Sequence, residues 1–321
     1  MGLSEPDLER INNTMGKMLY HLSTHNSVLV SVSGGSDSDI IVHMICTYFR
    51  DMLPKCHFVF FDTGLEFLAT KKHLEYLENK YGIQINKRRG MPIPRAIHKY
   101  GTPILSKDFS AIIEGVQTYN RPSSWLKFNT KQDAQHQHGL TPKMKTLGDF
   151  CLNNNFIISA KCCDKAKKQP MHHYVKEINA DLNVTGERQA EGGVRATKHK
   201  DCFEPRQGKA YDKYMPLWFW SDETKQWYKE HEGITYSDCY EVWGMKRTGC
   251  VGCPFGSDLS FVLPLLNKYE PNMYKACMNL FGRAYYLLDK FSCKRKKILT
   301  PQEYAVMAEK YETKEEEEIE G

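Results

Sequence analysis

The stretch Val28–Met44, VLVSVSGGSDSDIIVHM, decides the fold of this chain. A short apolar run leads into a turn of glycines and serines, and an apolar-periodic segment follows. A turn between a buried strand and a helix leaves main-chain N–H groups without partners, and the helix dipole adds partial positive charge. Glycines let such a backbone approach an anion closely. The sequence therefore predicts a phosphate-binding turn formed by Ser33, Gly34, Gly35, Ser36, Asp37 and Ser38.

The segments around this turn alternate between strand and helix patterns. Residues 5–24 have helical periodicity, CHFVFFDTG reads as a buried strand, EFLATKKHLEYLENKYG as a helix, and IQINKR and DLNVTGERQAEGGVRA as further strands. This alternation is typical of an α/β fold, a parallel twisted sheet with helices on both faces. Ligands of such sheets bind at the carboxyl ends of the strands. The residues Asp62, Thr63 and Gly64, which end the second strand, are therefore further candidates for nucleotide binding.

Composition and periodicity also divide the chain. The predicted parts are an N-terminal helix (1–24), a nucleotide-binding α/β domain (25–245) with a basic insert (120–148), a thiol-bearing turn with a helical C-terminal region (246–310), and an acidic tail (311–321). The tail carries six Glu against one Lys. Such a block of like charges at a terminus is usually solvated and disordered.

The bulk composition excludes some functional classes. No apolar run approaches the roughly 20 residues that cross a bilayer, and the first residues have no apolar signal core. We therefore expect a cytoplasmic protein without a membrane partner. The net charge of +5 suits an anionic partner, either a nucleotide or a nucleic acid. In a reducing compartment the eleven cysteines are more readily core residues, metal ligands or redox groups than disulfides.

Two cysteine pairs stand apart from the rest, Cys162-Cys163 and Cys250-x-x-Cys253. A C-x-x-C pair in a glycine-rich turn is compatible with zinc, a redox dithiol or an iron–sulfur cluster. Adjacent cysteines reach one small tetrahedral ion only with a bent backbone. A cluster with irons at separate corners accommodates them more readily, so the four thiols are candidate cluster ligands.

These motifs together resemble a known family. SGGSDS resembles the SGGxDS loop of PP-loop ATP pyrophosphatases, and KCC…CVGC resembles the 4Fe–4S cysteine pattern of adenylyl-sulfate reductases. FFDTGLEF, VTGERQAEGGVRA and YEVWGMKRTGCVGCPFG resemble the DTG-x-E, TG-x-R…R and R-T-G-C-x-x-C-P-F segments of the phosphoadenosine phosphosulfate reductase family. The resemblance implies an adenine nucleotide α-hydrolase-like fold, with a 4Fe–4S cluster on Cys162, Cys163, Cys250 and Cys253.

The resemblance also implies roles for charged residues. Arginine forks suit phosphate or sulfate, so the residues expected to act on the nucleotide are Arg188, Arg195 and Arg247, with Gly186 and Arg188 beside it. Asp37 is a candidate for positioning Mg²⁺ or a water. Expected ligands are ATP or a sulfonucleotide (adenylyl or phosphoadenylyl sulfate), and expected partners are a nucleic-acid or small-molecule sulfur acceptor and a reductant or sulfur-donor protein.

Two departures from the reductases bear on the chemistry. Sulfonucleotide reductases carry a C-terminal Glu-Cys-Gly-x-His segment, whereas this sequence finishes KYETKEEEEIEG, and its SGGSDS loop is intact where theirs is usually degraded. Both favour an ATP pyrophosphatase that supports sulfur transfer. The alternatives are a sulfonucleotide reductase or sulfotransferase, and a non-catalytic sensor or adaptor that binds a nucleotide and a cluster.

Overall fold

The computed structural model describes residues 4–123, 125, 140–154, 156–192, 199–206, 208 and 210–320, with side chains up to residue 312. Arg195 and most of the predicted insert 120–148 lie outside these residues. The described strands are β1 Val28–Ser31, β2 Cys56–Asp62, β3 Asn86–Arg89, β4 Leu182–Val184, β5 Phe203–Glu204 and β6 Asp212–Tyr214.

The α-helices occupy more of the chain than the strands do. They are α1 Glu5–Thr24, α2 Ser36–Tyr48, α3 Leu68–Tyr81, α4 Ile93–Tyr100, α5 Lys107–Tyr119, α6 Pro142–Asn153, α7 Lys161–Cys163, α8 Gln169–Glu177, α9 Asp222–His231, α10 Asp238–Glu241, α11 Leu259–Tyr269, α12 Pro271–Lys290 and α13 Pro301–Glu320. Residues Asp164–Lys168 are π-helical, and Arg50–Lys55 and Gln189–Glu191 form 3₁₀ turns. Helix α13 continues to Glu320, so the backbone of the acidic tail is helical where disorder was expected.

The strands form one sheet in the order β3-β2-β1-β4-β6-β5. All neighbouring pairs are parallel except β5 and β6, which are antiparallel. Strand β1 lies at the centre, where Val28 pairs with Cys56 on one side and with Leu182 on the other. The predicted α/β fold with a parallel sheet is therefore confirmed.

Helices cover both faces of this sheet. Alternate residues of a strand point to opposite faces, and Val28 and Val30 pack into a large core with residues of α1, α2 and α3. Leu29 and Val59 point the other way and pack on Tyr174 of α8. Burial of both faces explains why β1 is continuously apolar rather than alternating.

The chain forms two compact units. The sheet unit comprises Met1–Asp62, Leu68–Arg89 and Gln169–Thr248, and the helical unit comprises Thr63–Phe67, Gly90–Lys168 and Gly249–Gly321. In the helical unit Phe109, Leu147, Phe281 and Tyr285 are buried. Among the described helices, none is both long enough and apolar enough to span a bilayer.

The central strand gives a direct test of the sheet core. Leu29 is 0 % exposed, whereas Leu19 on α1 is 49 % exposed. Leu29→Ala leaves a cavity, and we expect it to lower the free energy of unfolding by about 2–5 kcal/mol. Leu19→Ala is the control and should change it by less than about 0.5 kcal/mol. Urea unfolding of both variants measures the difference, and equal effects would contradict the assigned core.

His21 links the stability of the sheet unit to pH. The ring stacks on Phe203 with 4.3 Å between centroids, and burial, with the nearby charge of His25, lowers the pKa of His21 to about 4. An unfolded histidine titrates near 6.5. The unfolded chain therefore binds more protons between these values, and stability falls as the pH drops from about 6.5 toward 4. In His21→Phe this contribution is absent. The melting temperature of the variant should therefore rise relative to that of the wild type as the pH is lowered from 7 to 5. A constant difference would contradict the assignment.

Candidate functional site

The turn after β1 adopts a conformation that requires glycine. Gly34 has φ +65°, and a Cβ at this position would lie 2.7 Å from Cγ2 of Thr70. Gly35 is extended and stands at the N-cap of α2, so the first N–H groups of that helix face the turn. Ser33–Ser38 thus combines a glycine backbone with a helix N-terminus, an arrangement that suits an anion, and its binding of phosphate stays a prediction.

Serine hydroxyls hold this loop in shape. The N–H of Ser33 donates to Oγ of Ser38 at 3.2 Å, and that hydroxyl donates to the carbonyl oxygen of Gly35 at 2.7 Å. The N–H of Gly35 donates to Oγ of Ser33, also at 3.2 Å. Ser33 and Ser38 are predicted as phosphate ligands. In the structure their hydroxyl groups form hydrogen bonds within the loop and stabilise its conformation.

Gly186 brings the segment after β4 against the same loop. A Cβ on Gly186 would lie 3.0 Å from the main-chain nitrogen of Ser38 and 3.1 Å from the carbonyl carbon of Asp37. Any larger residue would push the two backbones apart. This close approach lets Arg188, two residues later, reach the first turn of α2.

Arg188 and Asp37 are the centre of a charged network. The side chain of Arg188 is buried, and its Nε donates to Oδ1 of Asp37 at 2.8 Å. Its Nη2 donates to Oδ1 of Asp222 at 2.7 Å and lowers the pKa of that carboxyl. The Nζ of Lys225 lies 3.0 Å from the same oxygen of Asp37 and donates to Oγ of Ser36 at 2.6 Å. Asp37 therefore orients two cations at the edge of the loop.

A cavity of about 410 Å³ opens beside this network, entirely within the sheet unit. Its lining carries more positive than negative side chains. The lining residues are Ser36, Asp37, Arg188, Ala190, Glu191, Asp222, Lys225, Gln226, Lys229, Tyr236, Tyr240, Glu241, Met245, Lys246 and Arg247. Among the predicted site residues, Ser36, Asp37, Arg188 and Arg247 line it directly. The Arg247 side chain is largely exposed, with Nη2 4.0 Å from Oε2 of Glu191.

The other eleven lining residues were not predicted as site residues, among them Lys225, Tyr236 and Tyr240. Lys225 lies in the first turn of α9, whose N-cap Ser221 accepts a hydrogen bond from the N–H of Thr224. Tyr236 and Tyr240 flank the start of α10. The available signal was the family segment that begins at Tyr240, but a lone lysine or tyrosine carries no pattern that distinguishes a ligand-facing residue from another.

The residues at the end of β2 belong to different units. Asp62, in the sheet unit, accepts hydrogen bonds from Arg89. Thr63 and Gly64 belong to the helical unit, where Oγ1 of Thr63 donates to Oε1 of the buried Glu66 at 2.6 Å. Gly64 has φ +76°, and its missing Cβ faces Pro92 at 3.0 Å. The role of these three residues in nucleotide binding stays a prediction.

The helical unit brings the four predicted cluster cysteines together. Cys162 and Cys163 lie on α7, immediately before the π-helical residues Asp164–Lys168. Cys250 and Cys253 lie in a turn at Gly252, which has φ +62° and whose missing Cβ would contact Tyr285 and Cys277. The turn is fixed by a hydrogen bond from the N–H of Val251 to the carbonyl oxygen of Leu65 at 3.0 Å.

A buried carboxylate fixes the segment that leads into the first cysteine pair. Oε2 of Glu114 accepts hydrogen bonds from the hydroxyl of Ser159 at 2.9 Å and from the N–H of Ala160 at 3.3 Å. Its other oxygen lies 2.9 Å from Nζ of Lys161. The chain is therefore held firmly where α7 begins.

The four thiols interact with one another electrostatically. A hydrogen bond from Cys162 to Cys163, with burial and the remaining thiols, raises the pKa of Cys162. The same hydrogen bond and nearby lysines lower the pKa of Cys163 to about 6, against the effect of burial. Burial raises the pKa of Cys253 to about 12, and Cys250 and Cys163 add to this shift. Burial likewise raises the pKa of Cys250. Four thiols whose charges disfavour one another are typical of a site that a bound cation would stabilise.

Lysines surround the thiols. Lys107, Lys167 and Lys168 lower the pKa of Cys163, after its hydrogen bond with Cys162. Lys294 acts on Cys253 in the same direction, and its Nζ donates to the carbonyl oxygen of Gly256 at 3.0 Å. Within the part of the chain that the structure describes, no group of three or more His, Cys, Asp or Glu side chains is arranged so that it could hold a metal ion.

Gly34→Ala tests the anion loop. The substitution requires a positive φ and places a methyl group against Thr70, so we expect pyrophosphate to bind at least about tenfold more weakly. Gly16→Ala is the matched control, because nothing lies within 4 Å of the missing Cβ of Gly16 in α1. Isothermal titration with pyrophosphate measures both, and unchanged affinity in Gly34→Ala would contradict the site.

Comparisons with known proteins agree with these motifs. Residues 27–111 and 124–255 match the phosphoadenosine phosphosulfate reductase domain. An uncharacterized protein of Methanocaldococcus jannaschii is 27 % identical over 232 residues, which are 71 % of this chain and 36 % of that protein. The chain thus spans about a third of the length of this curated relative.

Two solved structures are similar at low sequence identity. Phosphoadenylyl-sulfate reductase from Candida auris, in a phosphate complex, is 16 % identical with a TM-score of 0.44, covering 78 % of this chain and 97 % of that one. FMN adenylyltransferase from Candida glabrata, in complex with FAD and inorganic pyrophosphate, is 10 % identical with a TM-score of 0.45, covering 78 % and 66 %. From the domain match, the chain belongs to the phosphoadenosine phosphosulfate reductase domain family.

Proposed function

We propose that this chain is an iron–sulfur PP-loop enzyme that cleaves ATP to AMP and pyrophosphate to activate an acceptor for sulfur transfer. The observation that carries the proposal is the cavity of the sheet unit, in which the Ser33–Ser38 loop meets Arg188 and Lys225. A glycine loop at a helix N-terminus with two fixed cations suits a pyrophosphate group. The intact loop favours ATP over a ligand that is already activated.

The proposed reaction needs charge stabilisation more than covalent chemistry by the protein. An acceptor oxygen attacks the α-phosphorus of ATP, the bond to the bridging oxygen breaks, and pyrophosphate leaves with the electron pair. Main-chain N–H groups of the loop, Arg188 and Lys225 would stabilise the charge that develops on the leaving group. Because the carboxylate of Asp37 is engaged by both cations, a Mg²⁺ ion would be held mainly by phosphate oxygens and water. Arg247, which also lines the cavity, would contact the nucleotide.

The helical unit would hold a 4Fe–4S cluster on Cys162, Cys163, Cys250 and Cys253. Each ligand of such a cluster binds a different iron, so the sulfurs lie farther apart than the ligands of one zinc ion. Four mutually interacting thiols offer this donor set. When bound, a cluster with cysteine on every iron would poise the sulfur acceptor beside it, and the lysines at Cys163 and Cys253 would offset its negative charge.

The charge distribution favours a nucleic acid as the sulfur acceptor. Residues 90–168 carry twelve Lys and Arg against five Asp and Glu, so this part of the helical unit is far more basic than the chain as a whole. Lys107, Lys167 and Lys168 act directly on a thiol. A polyanionic acceptor would gain from such a surface, and its binding would weaken steeply with salt. A small-molecule acceptor would show little salt dependence.

The domain match favours one second candidate, a reductase or sulfotransferase of adenylyl or phosphoadenylyl sulfate. The loop and the arginines would then bind the nucleotide phosphate or the sulfate, and a separate thiol protein would supply electrons. Sulfite release that depends on thioredoxin, with no pyrophosphate from ATP, would establish this candidate in place of the first.

Turnover of ATP decides between the candidates. Anaerobically purified protein, given ATP, Mg²⁺, sulfide and a panel of RNA and DNA, should release AMP and pyrophosphate in equal amounts, because sulfide displaces AMP from the adenylated acceptor. Gly34→Ala should lose this release and Gly16→Ala should keep it. Release of ADP and phosphate, or no turnover with iron present, would contradict the proposal; nucleotide binding alone would instead favour a sensor or adaptor.

Iron content tests the cluster separately. Cys250→Ala removes a proposed ligand, and we expect iron and acid-labile sulfide to fall about tenfold or more. Cys46→Ala is the matched control, because Cys46 is 4 % exposed in the core of the sheet unit and should leave the iron content unchanged. Equal iron content in Cys250→Ala and wild type, or colourless wild-type protein, would contradict the proposed cluster.

A further inference from the structure

Tyr240 places its hydroxyl group on the phosphate loop. The phenol oxygen accepts a hydrogen bond from the N–H of Thr248 at 3.2 Å and shares a second with Oγ1 of Thr248 at 3.0 Å. Burial raises the pKa of Tyr240, and Thr248 together with the main chain and hydroxyl of Ser36 opposes this rise. The phenol oxygen therefore lies near the first residue of helix α2 as well as on Thr248.

The position of this oxygen coincides with the open side of the loop. A Cβ on Gly35 would lie 3.2 Å from the Tyr240 hydroxyl. Absence of a side chain at Gly35 is what lets an anion approach the backbone. The tyrosine oxygen thus stands where an oxygen of a bound phosphate would take the N–H of Ser36.

The remaining loop groups also have partners within the protein. The N–H of Gly35 donates to Oγ of Ser33, and the hydroxyl of Ser36 accepts from Nζ of Lys225 at 2.6 Å. A phosphate that binds here replaces hydrogen bonds that already exist, so the net gain of each new one is reduced. Lys225 and Tyr240 both contact the loop and line the cavity from other elements, and Tyr240 brings an uncharged oxygen that an anion would displace.

We propose that Tyr240 competes with phosphate for the loop and so sets the affinity that a ligand needs in order to occupy it. This inference rests on the proposed nucleotide site and adds to it a residue that sets the affinity threshold. Because the hydroxyl must be displaced first, the affinity for every anion falls by the same factor. This factor is the inverse of the fraction of protein in which the loop is accessible. Inorganic phosphate, which has only loop contacts, is then bound poorly. ATP keeps useful affinity through its other contacts with the cavity.

Tyr240→Phe tests this competition. The variant keeps the ring but leaves the N–H groups of Ser36 and Thr248 to the ligand, and we expect pyrophosphate and phosphate to bind about five- to tenfold more tightly in isothermal titration. Tyr228→Phe is the matched control, since Tyr228 is a buried tyrosine of α9 outside the cavity lining, and it should match the wild type.

A spectroscopic measurement distinguishes displacement from a purely structural role. Saturation with pyrophosphate should change the tyrosine ultraviolet difference spectrum of the wild type and of Tyr228→Phe, and this change should be absent in Tyr240→Phe. Equal or weaker pyrophosphate binding by Tyr240→Phe would overturn the competition while leaving the nucleotide site intact. Failure of the wild type to bind either pyrophosphate or ATP would overturn both.

Discussion

The candidate nucleotide site depends on one close approach between two backbones. Gly186 lies so near Asp37 and Ser38 that a single Cβ would meet main-chain atoms at 3.0–3.1 Å. Parallel pairing of β1 and β4 brings the two loops to the same edge of the sheet, but pairing alone does not determine their separation. Because glycine permits contact, the buried Arg188 reaches Asp37 directly, and the carboxylate in turn holds Lys225. Because Gly186 has no side chain, Arg188 and Lys225 are held in place at the cavity.

The parts of the fold that the sequence predicts well are those with repeated local signals. Helix α1 begins and ends where its apolar spacing indicates, and β1, the glycine turn and α2 follow from a buried strand joined to an amphipathic segment. The predictions are poorer where tertiary contacts decide the structure. Strand β4 has only three residues, because the chain leaves the sheet at Thr185 to form the Gly186 contact, although the predicted strand pattern continued for a further dozen residues.

In the site, too, local motifs indicate some residues and tertiary packing determines the others. Ser36, Asp37 and Arg188 belong to motifs with a fixed spacing, and they line the cavity, although their role in binding stays a prediction. Lys225 and Tyr240 line it too, but their contribution depends on how α9 and α10 pack near α2. Thr63 and Gly64 follow a strand end, which usually marks a ligand site. Their described contacts, with Glu66, Pro92 and the thiol of Cys250, lie in the helical unit.

The adjacent cysteines show how a backbone irregularity can serve chemistry. On a regular α-helix consecutive side chains point about 100° apart, so neighbours rarely face one centre. Cys162 and Cys163 lie where α7 passes into a π-helical stretch, and such widened turns are frequent at functional sites. The pKa of Cys162 is raised by its hydrogen bond with Cys163, by burial and by the thiols of Cys250 and Cys253, so the two pairs lie within electrostatic reach of each other. Charging several thiols close together in a protein interior is costly unless a counter-charge is present. The lysines at Cys163 and Cys253 offset part of that cost.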